Sequence, residues 1–376
     1  MTHRAQLLAH CVPALLAIGN AAPTAAQTYP AKSVRFIVAY APGGLDASSE
    51  QGSRLRDATV HESAAAAVLI AQASIPAAQY PNRSIRFIVA YAPGGGTDVT
   101  ARPIAAKLSE RWGQSVFVDN RAGGNGMIGA DMVAKSAPDG YTVLVSASSE
   151  MSMNVALFSK MPYDPVKNFA PITLVSVSPP LLLVHPSLPV KSVSELIALA
   201  KARPGQLAYA SVGIGSPQHF SGELLNLEAK IKMNHVPYKG AAPALIDLLG
   251  GHVPVGMIAV VVAIPHIKTG RLRPLAVTTL KRSPSLPDVA AISETIPGFD
   301  IGQWFAVWVP AGTPPDIVKK LNAEIVAIVH AADFRASMLE VATEVIGGTP
   351  EELRKLQIAE IEKYKRIARA ANIKTD

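Results

Sequence analysis

The sequence predicts an α/β protein of two lobes, in which the chain leaves the first lobe, builds the second and returns. Three observations carry this. Short apolar runs rich in β-branched residues alternate with glycine-containing turns and helical patterns, the order expected of parallel strands with crossover helices. The alternation stops at Pro179-Pro180 and begins again. A late apolar run, Trp304–Val309, stands apart from the second series and offers a strand to the first sheet. With 376 residues, two domains of roughly 150 residues each are the natural division. A composition 49% hydrophobic and 17% charged can fill both cores.

Taken in order, Ile85–Tyr91 is a continuous apolar run and reads as a strand buried on both faces. Pro93-Gly94-Gly95-Gly96 breaks it, and a helix starts near Thr97 with Val99, Ile104 and Leu108 on one face. Val116–Val118 is a short strand, Gly123–Gly129 a glycine-rich turn, Ile128–Lys135 a short helix and Tyr141–Ser146 a third strand. In the second series, Leu181–Val184 and Leu207–Ser211 read as strands and Val193–Ala202 as a helix. Helices follow at Pro217–Ala229 and Ala241–Leu249, then a strand at Leu275–Thr278. Beyond the returning strand, Thr313 is expected to cap a helix with Pro314 in its first position. Thr349-Pro350-Glu351-Glu352 opens the last helix with a capping box.

The start of the chain reads as an export signal over residues 1–27. Arg4 supplies positive charge, Leu7–Ile18 an apolar stretch and Thr24-Ala25-Ala26 a small-residue cleavage site. The only cysteine, Cys11, falls inside it, so a processed chain would have no disulfide, thiolate nucleophile or cysteine metal site. No later run is long enough to span a membrane, since Val255–Ile264 falls short of the ~20 apolar residues required. The formal charge is +7 and the pI near 9.4. Lysines and arginines are dispersed and not interleaved with aromatics, which argues against nucleic acid as a partner.

The chain also begins twice. Tyr29–Gly44 matches Tyr80–Gly95 at all but three of sixteen positions. The second copy continues into Gly96-Thr97-Asp98 and a helical pattern, whereas the first runs into Leu45-Asp46-Ala47 and polar sequence. Residues 28–79 are therefore taken as a residual, poorly ordered start, with an added edge strand or strand exchange between the copies as alternatives. The expected domains are 80–180 with 304–376 as lobe 1, and 181–303 as lobe 2.

Several segments resemble the extracytoplasmic solute receptors of tripartite tricarboxylate transporters, the Bug family. They are Phe87–Asp98 (FIVAYAPGGGTD), Asp119–Ala130 (DNRAGGNGMIGA), Ala137–Tyr141 (APDGY) and Pro162–Ala170 (PYDPVKNFA). Gly213–Leu224 (GIGSPQHFSGEL), Val236–Leu249 (VPYKGAAPALIDLL), Ile264–Pro287 and Val309–Ile325 continue the set in the family's order. The resemblance implies a type II-like periplasmic binding-protein fold, two α/β lobes with a hinge and a ligand cleft. It also implies a non-enzymatic receptor in the periplasm that takes a small organic acid to membrane subunits, acting as a monomer without a cofactor or metal. One departure stands out. Where the family pattern places Phe-Asp before the Pro-His-Ile-Lys stretch, this chain has Ile258-Ala259, which favours a plain carboxylic acid over an amino acid.

An anion can be held by helix N-termini, whose first N–H groups are unpaired and lie at the positive end of the macrodipole. Three such starts have suitable sequence. Pro93, Gly94, Gly95, Gly96, Thr97 and Asp98 form the first, with Asp98 better suited to the helix start than to an anion. Ser211, Gly213, Gly215 and Ser216 form the second, with His219 in the first turn as a further donor. Tyr238 and Gly240 form the third, next to Lys239, which also reads as a surface charge. Ser146, Ser148 and Ser149 are hydroxyl candidates from the first lobe.

The competing signal is Gly124-Asn125-Gly126-Met127-Ile128-Gly129, which fits the dinucleotide pattern with Glu150 about twenty residues on. It supports an NAD(P)-dependent oxidoreductase as the alternative, against the export signal and the short preceding strand. A structural or adhesive secreted protein is a third reading, and it has no use for three such helix starts.

Overall fold

In the computed structural model, which describes residues 80–373, the first apolar run forms β1 (Ile85–Val89). The expected signal and the first copy of the repeat lie outside the described residues. Both faces of β1 are buried because its two neighbouring helices take alternate residues. Ile85, Phe87 and Val89 pack with Ala101, Ile104 and Leu108 of α1 (Gly96–Trp112). After β2 (Val116–Asn120), Ala130 and Val133 of α2 (Met127–Ala134) join Ile88 and Ala90 in a second cluster. Next come β3 (Thr142–Ala147), a π-helical turn over Ser149–Met153, α3 (Asn154–Leu157) and β4 (Phe169–Ser178).

A single residue later the second sheet starts with β5 (Pro180–Val184). It continues through α4 (Val193–Ala202), β6 (Ala208–Ser211), α5 (Pro217–Ala229), β7 (Asn234–Pro237) and α6 (Ala241–Leu249). Then follow β8 (Val255–Ala259), α7 (Val260–Lys268) and β9 (Arg273–Val277). The chain returns through β10 (Gln303–Pro310), and ends with α8 (Pro315–Val329), α9 (Ala332–Glu340), β11 (Glu344–Val345) and α10 (Pro350–Ala370).

The sheet orders are β11-β4-β10-β3-β1-β2 and β7-β6-β8-β5-β9. They share one plan. The strand that enters from the other lobe, β10 or β5, is inserted antiparallel between the third and fourth strands of its own sheet. β1 pairs in parallel with β2 and β3, and β6 with β7 and β8. The sheets are thus mixed rather than parallel throughout. An entering strand starts at the edge where its neighbours end, so it must run against them.

Two segments tie the cores together. Met153 and Leu157 leave β3 and bury themselves in the second-lobe core. α10 places Leu353 beside Trp304 and Trp308 of the first lobe, then Tyr364, Ile367 and Ala368 in the second core.

The caps at Ser216 and Thr349 are as the sequence predicts. His219 N–H donates to Ser216 Oγ at 3.2 Å, and Thr349 and Glu352 exchange bonds at 2.8 and 3.2 Å. The expected Thr313 cap is corrected. α8 starts at Pro315, and the Thr313 hydroxyl donates to the Pro310 carbonyl at 2.8 Å instead. Pro314 is itself followed by a proline, which holds it extended at ψ 135° and delays the helix by one residue. Among the described residues no helix is long and apolar enough to cross a membrane.

Candidate functional site

The loops that carry the candidate residues leave one edge of each sheet. In the first lobe, Pro93–Asp98 follow β1 and Ser146–Glu150 lie at the end of β3, with Phe305 of β10 paired opposite Ala147. In the second, Ser211–Ser216 follow β6, Tyr238–Gly240 follow β7 and Ala259 closes β8. The chain crosses between the sheets at these same edges, from β4 to β5 and from β9 to β10. The two loop clusters therefore face each other across a common cleft. Gly215 packs directly on α3, since a β-carbon there would lie 2.4 Å from Leu157 Cδ1.

In the first lobe, the α1 ladder opens with Val99 N–H donating to Gly95 O, so the amides of Gly96, Thr97 and Asp98 precede it. Pro93, Gly94, Gly95 and Gly96 are exposed, while Thr97 and Asp98 are buried. Asp98 faces inward. It accepts from Gly94 N–H at 3.0 Å, from Asn120 Nδ2 at 2.9 Å and from Arg102 in a two-point pair at 2.8 and 2.9 Å. These bonds outweigh burial and hold its carboxyl down at about 2. With Arg102 bonded to both of its oxygens, Asp98 is neutralised as an ion pair.

The three serines part company. Ser146 Oγ accepts from Trp308 Nε1 at 2.8 Å and donates to Ala306 O at 3.4 Å, so it belongs to the core. Ser149 has a weak contact with Met153 Sδ at 4.0 Å. The Ser148 hydroxyl is fully buried without a hydrogen-bond partner.

In the second lobe most donors are already used. Gly213 N–H donates to Ser211 Oγ at 3.2 Å, Gly215 N–H to His219 Nδ1 at 3.1 Å and Ser216 N–H to Gly213 O at 3.3 Å. His219 is thus buried and bonded to the loop's own backbone. The Tyr238 hydroxyl donates to Asp247 Oδ2 at 2.6 Å, and burial followed by that carboxylate pushes its pKa up to about 12. Gly240 N–H donates to Val212 O at 3.1 Å, which draws the third helix start against the second. Past Gly240, the amides of Ala241 and Ala242 stand ahead of the α6 ladder. Lys239 is exposed.

The glycine pattern at 124–129 has a local packing explanation. A β-carbon on Gly126 would lie 3.0 Å from both Glu150 Oε2 and the Tyr91 hydroxyl, and one on Gly129 would lie 2.9 Å from Ala90 Cα. The pattern follows β2, which is an edge strand. Glu150 is fully buried, accepting from Ala147 N–H and Tyr91 OH at 2.8 Å each. Burial pushes its pKa up to about 7. An acid so enclosed does not present itself to a ribose.

Sequence reasoning passed over Asn120, Arg102, Tyr91, Leu157, His235 and Phe305, all of which shape the loops. Tyr91 and Asn120 stand inside the glycine-rich motifs, whereas Arg102, Leu157, His235 and Phe305 lie outside every motif and carry no local signal.

The family described as the tripartite tricarboxylate transporter family receptor matches residues 100–373. BugT of Bordetella pertussis is 40% identical over 305 residues, which is 80% of this chain and 93% of BugT. An R. palustris protein solved with adipate is similar at TM-score 0.69 and 38% identity, covering 79% of this chain and 100% of that one. MatC from Rhodopseudomonas palustris, solved with bound malate, is similar at TM-score 0.65 and 33% identity, covering 77% and 99%. The two-lobed arrangement, the order of the glycine loops and these matches have one meaning: the chain belongs to the tripartite tricarboxylate transporter receptor family.

Proposed function

We propose that this chain is a periplasmic receptor that closes its two lobes around a small organic carboxylate and passes it to the membrane subunits of a tripartite tricarboxylate-type transporter. The observation that carries the reading is the pair of helix starts across the cleft, α1 behind Gly96 and α6 behind Gly240, each with amides free of helical acceptors. Such groups hold an anion without burying an unpaired charge. The buried, unpartnered Ser148 hydroxyl adds a donor on the first-lobe side. Two relatives of similar fold bind adipate and malate, so a dicarboxylate is the first class to try. Ala259 supplies no acid for a ligand's amino group, which favours a plain carboxylic acid. Contacts from both lobes to one ligand favour the closed arrangement over the open one.

A thermal-shift screen against dicarboxylates, monocarboxylates, amino acids and NAD(P) tests this. A ligand at 100 times its Kd stabilises the fold by about 2.7 kcal/mol. A shift confined to carboxylates is the expected result. A shift with NAD(P) and none with any acid would sink the receptor reading.

A further inference from the structure

Beneath the second-lobe half of the cleft, three rings form a column. Tyr209 of β6 stacks on His235 of β7 with centroids 5.0 Å apart and planes at 27°. His235 stacks on His219 of α5 at 3.8 Å and 12°. Each imidazole holds one point of the loop above. His235 Nε2 lies 2.6 Å from Ser211 Oγ, which bonds both the N–H and the carbonyl of Gly213 at 3.2 Å. His219 Nδ1 accepts directly from Gly215 N–H at 3.1 Å. Both glycines have positive φ, 141° and 76°, so the loop is in a conformation that needs holding.

We propose that the stacked His219–His235 pair is a positioning device that sets the Gly213–Gly215 loop, and through the Gly240–Val212 bond the α6 start, for acid binding, and releases them when the imidazoles take up protons. This inference rests on the receptor reading. The chemistry is simple. Nδ1 of His219 serves as an acceptor, so its proton sits on Nε2 and the ring is neutral. A proton added at Nδ1 would face the Gly215 N–H donor to donor. A charge on both rings would put two cations face to face at 3.8 Å.

The surroundings oppose protonation. Burial, then the charge of His235, draws the His219 pKa down to about 3, and burial draws His235 down to about 4. The groups facing the column are Tyr209 from β6, Glu223 from α5 and, behind Phe220, Tyr364 from α10. Glu223 accepts from the Tyr209 hydroxyl at 2.6 Å and is itself raised by burial, so it offers the imidazoles little charge. With folded pKa values below the ordinary 6.5, the pair supports the fold fully above that value. The support is lost as pH falls through the folded pKa values.

The test is imidazole and amide nitrogen NMR on the ligand-free full chain from pH 8 to about 2.5, with circular dichroism followed in parallel to mark where the fold is kept. We expect His219 to carry its proton on Nε2 and to stay neutral at pH 5. The Gly213 and Gly215 amides should move only as the pair titrates. His219→Gln keeps an acceptor for Gly215 but cannot ionise, and should abolish the acid-dependent shift of the Gly215 amide. The affinity of each variant for adipate or malate at pH 7.5 is read against the parent's. His219→Phe removes the acceptor and should weaken that affinity by about tenfold. Ordinary titration of His219 near pH 6.5, or a Gly215 shift that persists in His219→Gln, overturns the proposal. If neither acid binds, the receptor reading fails for those acids, and the NMR results still decide the device.

Discussion

The ring of Phe305 occupies the space that a side chain on residue 96 would need: a β-carbon on Gly96 would lie 2.5 Å from Cζ. The ring closes the first lobe just below the open amides of α1, so the backbone there can approach an anion only as glycine. In the first copy of the repeat the corresponding residue is Leu45, followed by Asp46 and Ala47 in place of Thr97 and Asp98. That copy repeats the preceding apolar sequence but has neither the glycine at this position nor the carboxylate that Arg102 pairs with. Gly96→Ala is expected to cost about 1–3 kcal/mol by overpacking. Carboxylate affinity should drop in the same variant, while Phe305→Leu in addition should recover part of both. Thermal melts and titration calorimetry on the two variants check this.

Glu150 brings a pH dependence of the opposite sign to that of the histidines. Its folded pKa, near 7, lies above the ordinary 4.5 because burial penalises the ionised form. Its contribution to stability is complete below about pH 4.5 and is lost as pH rises through 7. The loss amounts to about 3 kcal/mol at most. Glu150→Gln keeps an acceptor for Ala147 N–H and a partner for Tyr91. Its melting temperature should exceed that of the parent at pH 8 and converge with it at pH 5. A parallel pH dependence in the two proteins would show that Glu150 is not the group that titrates.

Ser148 separates a site residue from a structural one by the sign of its effects. Its hydroxyl is buried and unpaired, a state that costs on the order of 1–3 kcal/mol. Ser148→Ala should therefore raise the melting temperature of the empty protein. If the hydroxyl donates to the acid when the lobes close, the same change should weaken binding by roughly fivefold to tenfold. A more stable variant with unchanged affinity would remove Ser148 from the site.

Much of the architecture was legible because long buried strands and capped helices announce themselves locally. Ile85–Val89 is apolar at every position but Arg86, and Thr349–Glu352 is a capping box by spacing alone. β7 has no burial pattern written into it because Asn234–Pro237 lies at a sheet edge, with two of its four residues exposed and none fully buried. β4 was missed because Pro171 interrupts its apolar run, and register shifts opposite it break the alternation. The candidate loops could be placed from the sequence, but which of their donors are free could not. Whether a hydroxyl or imidazole is free depends on partners far along the chain. Ser146 is taken by Trp308, 162 residues away, and no local pattern records that.

Tyr238 makes the same point in a form that can be measured. A tyrosine at a helix start next to Lys239 reads as a ligand donor, yet its hydroxyl donates to Asp247 at 2.6 Å on the helix that follows. That bond joins the loop after β7 to α6, whose open amides are the second-lobe half of the proposed site. Tyr238→Phe should cost about 1 kcal/mol of stability through the lost hydrogen bond, with the Asp247 carboxylate still able to reach water. Asp247→Asn should cost less, since an amide oxygen can still accept. Carboxylate affinity should change by less than about threefold in Tyr238→Phe, because the hydroxyl points to Asp247 and not to the ligand. A drop of tenfold or more with little loss of stability would mean that closure frees the hydroxyl from Asp247 and turns it into the cleft.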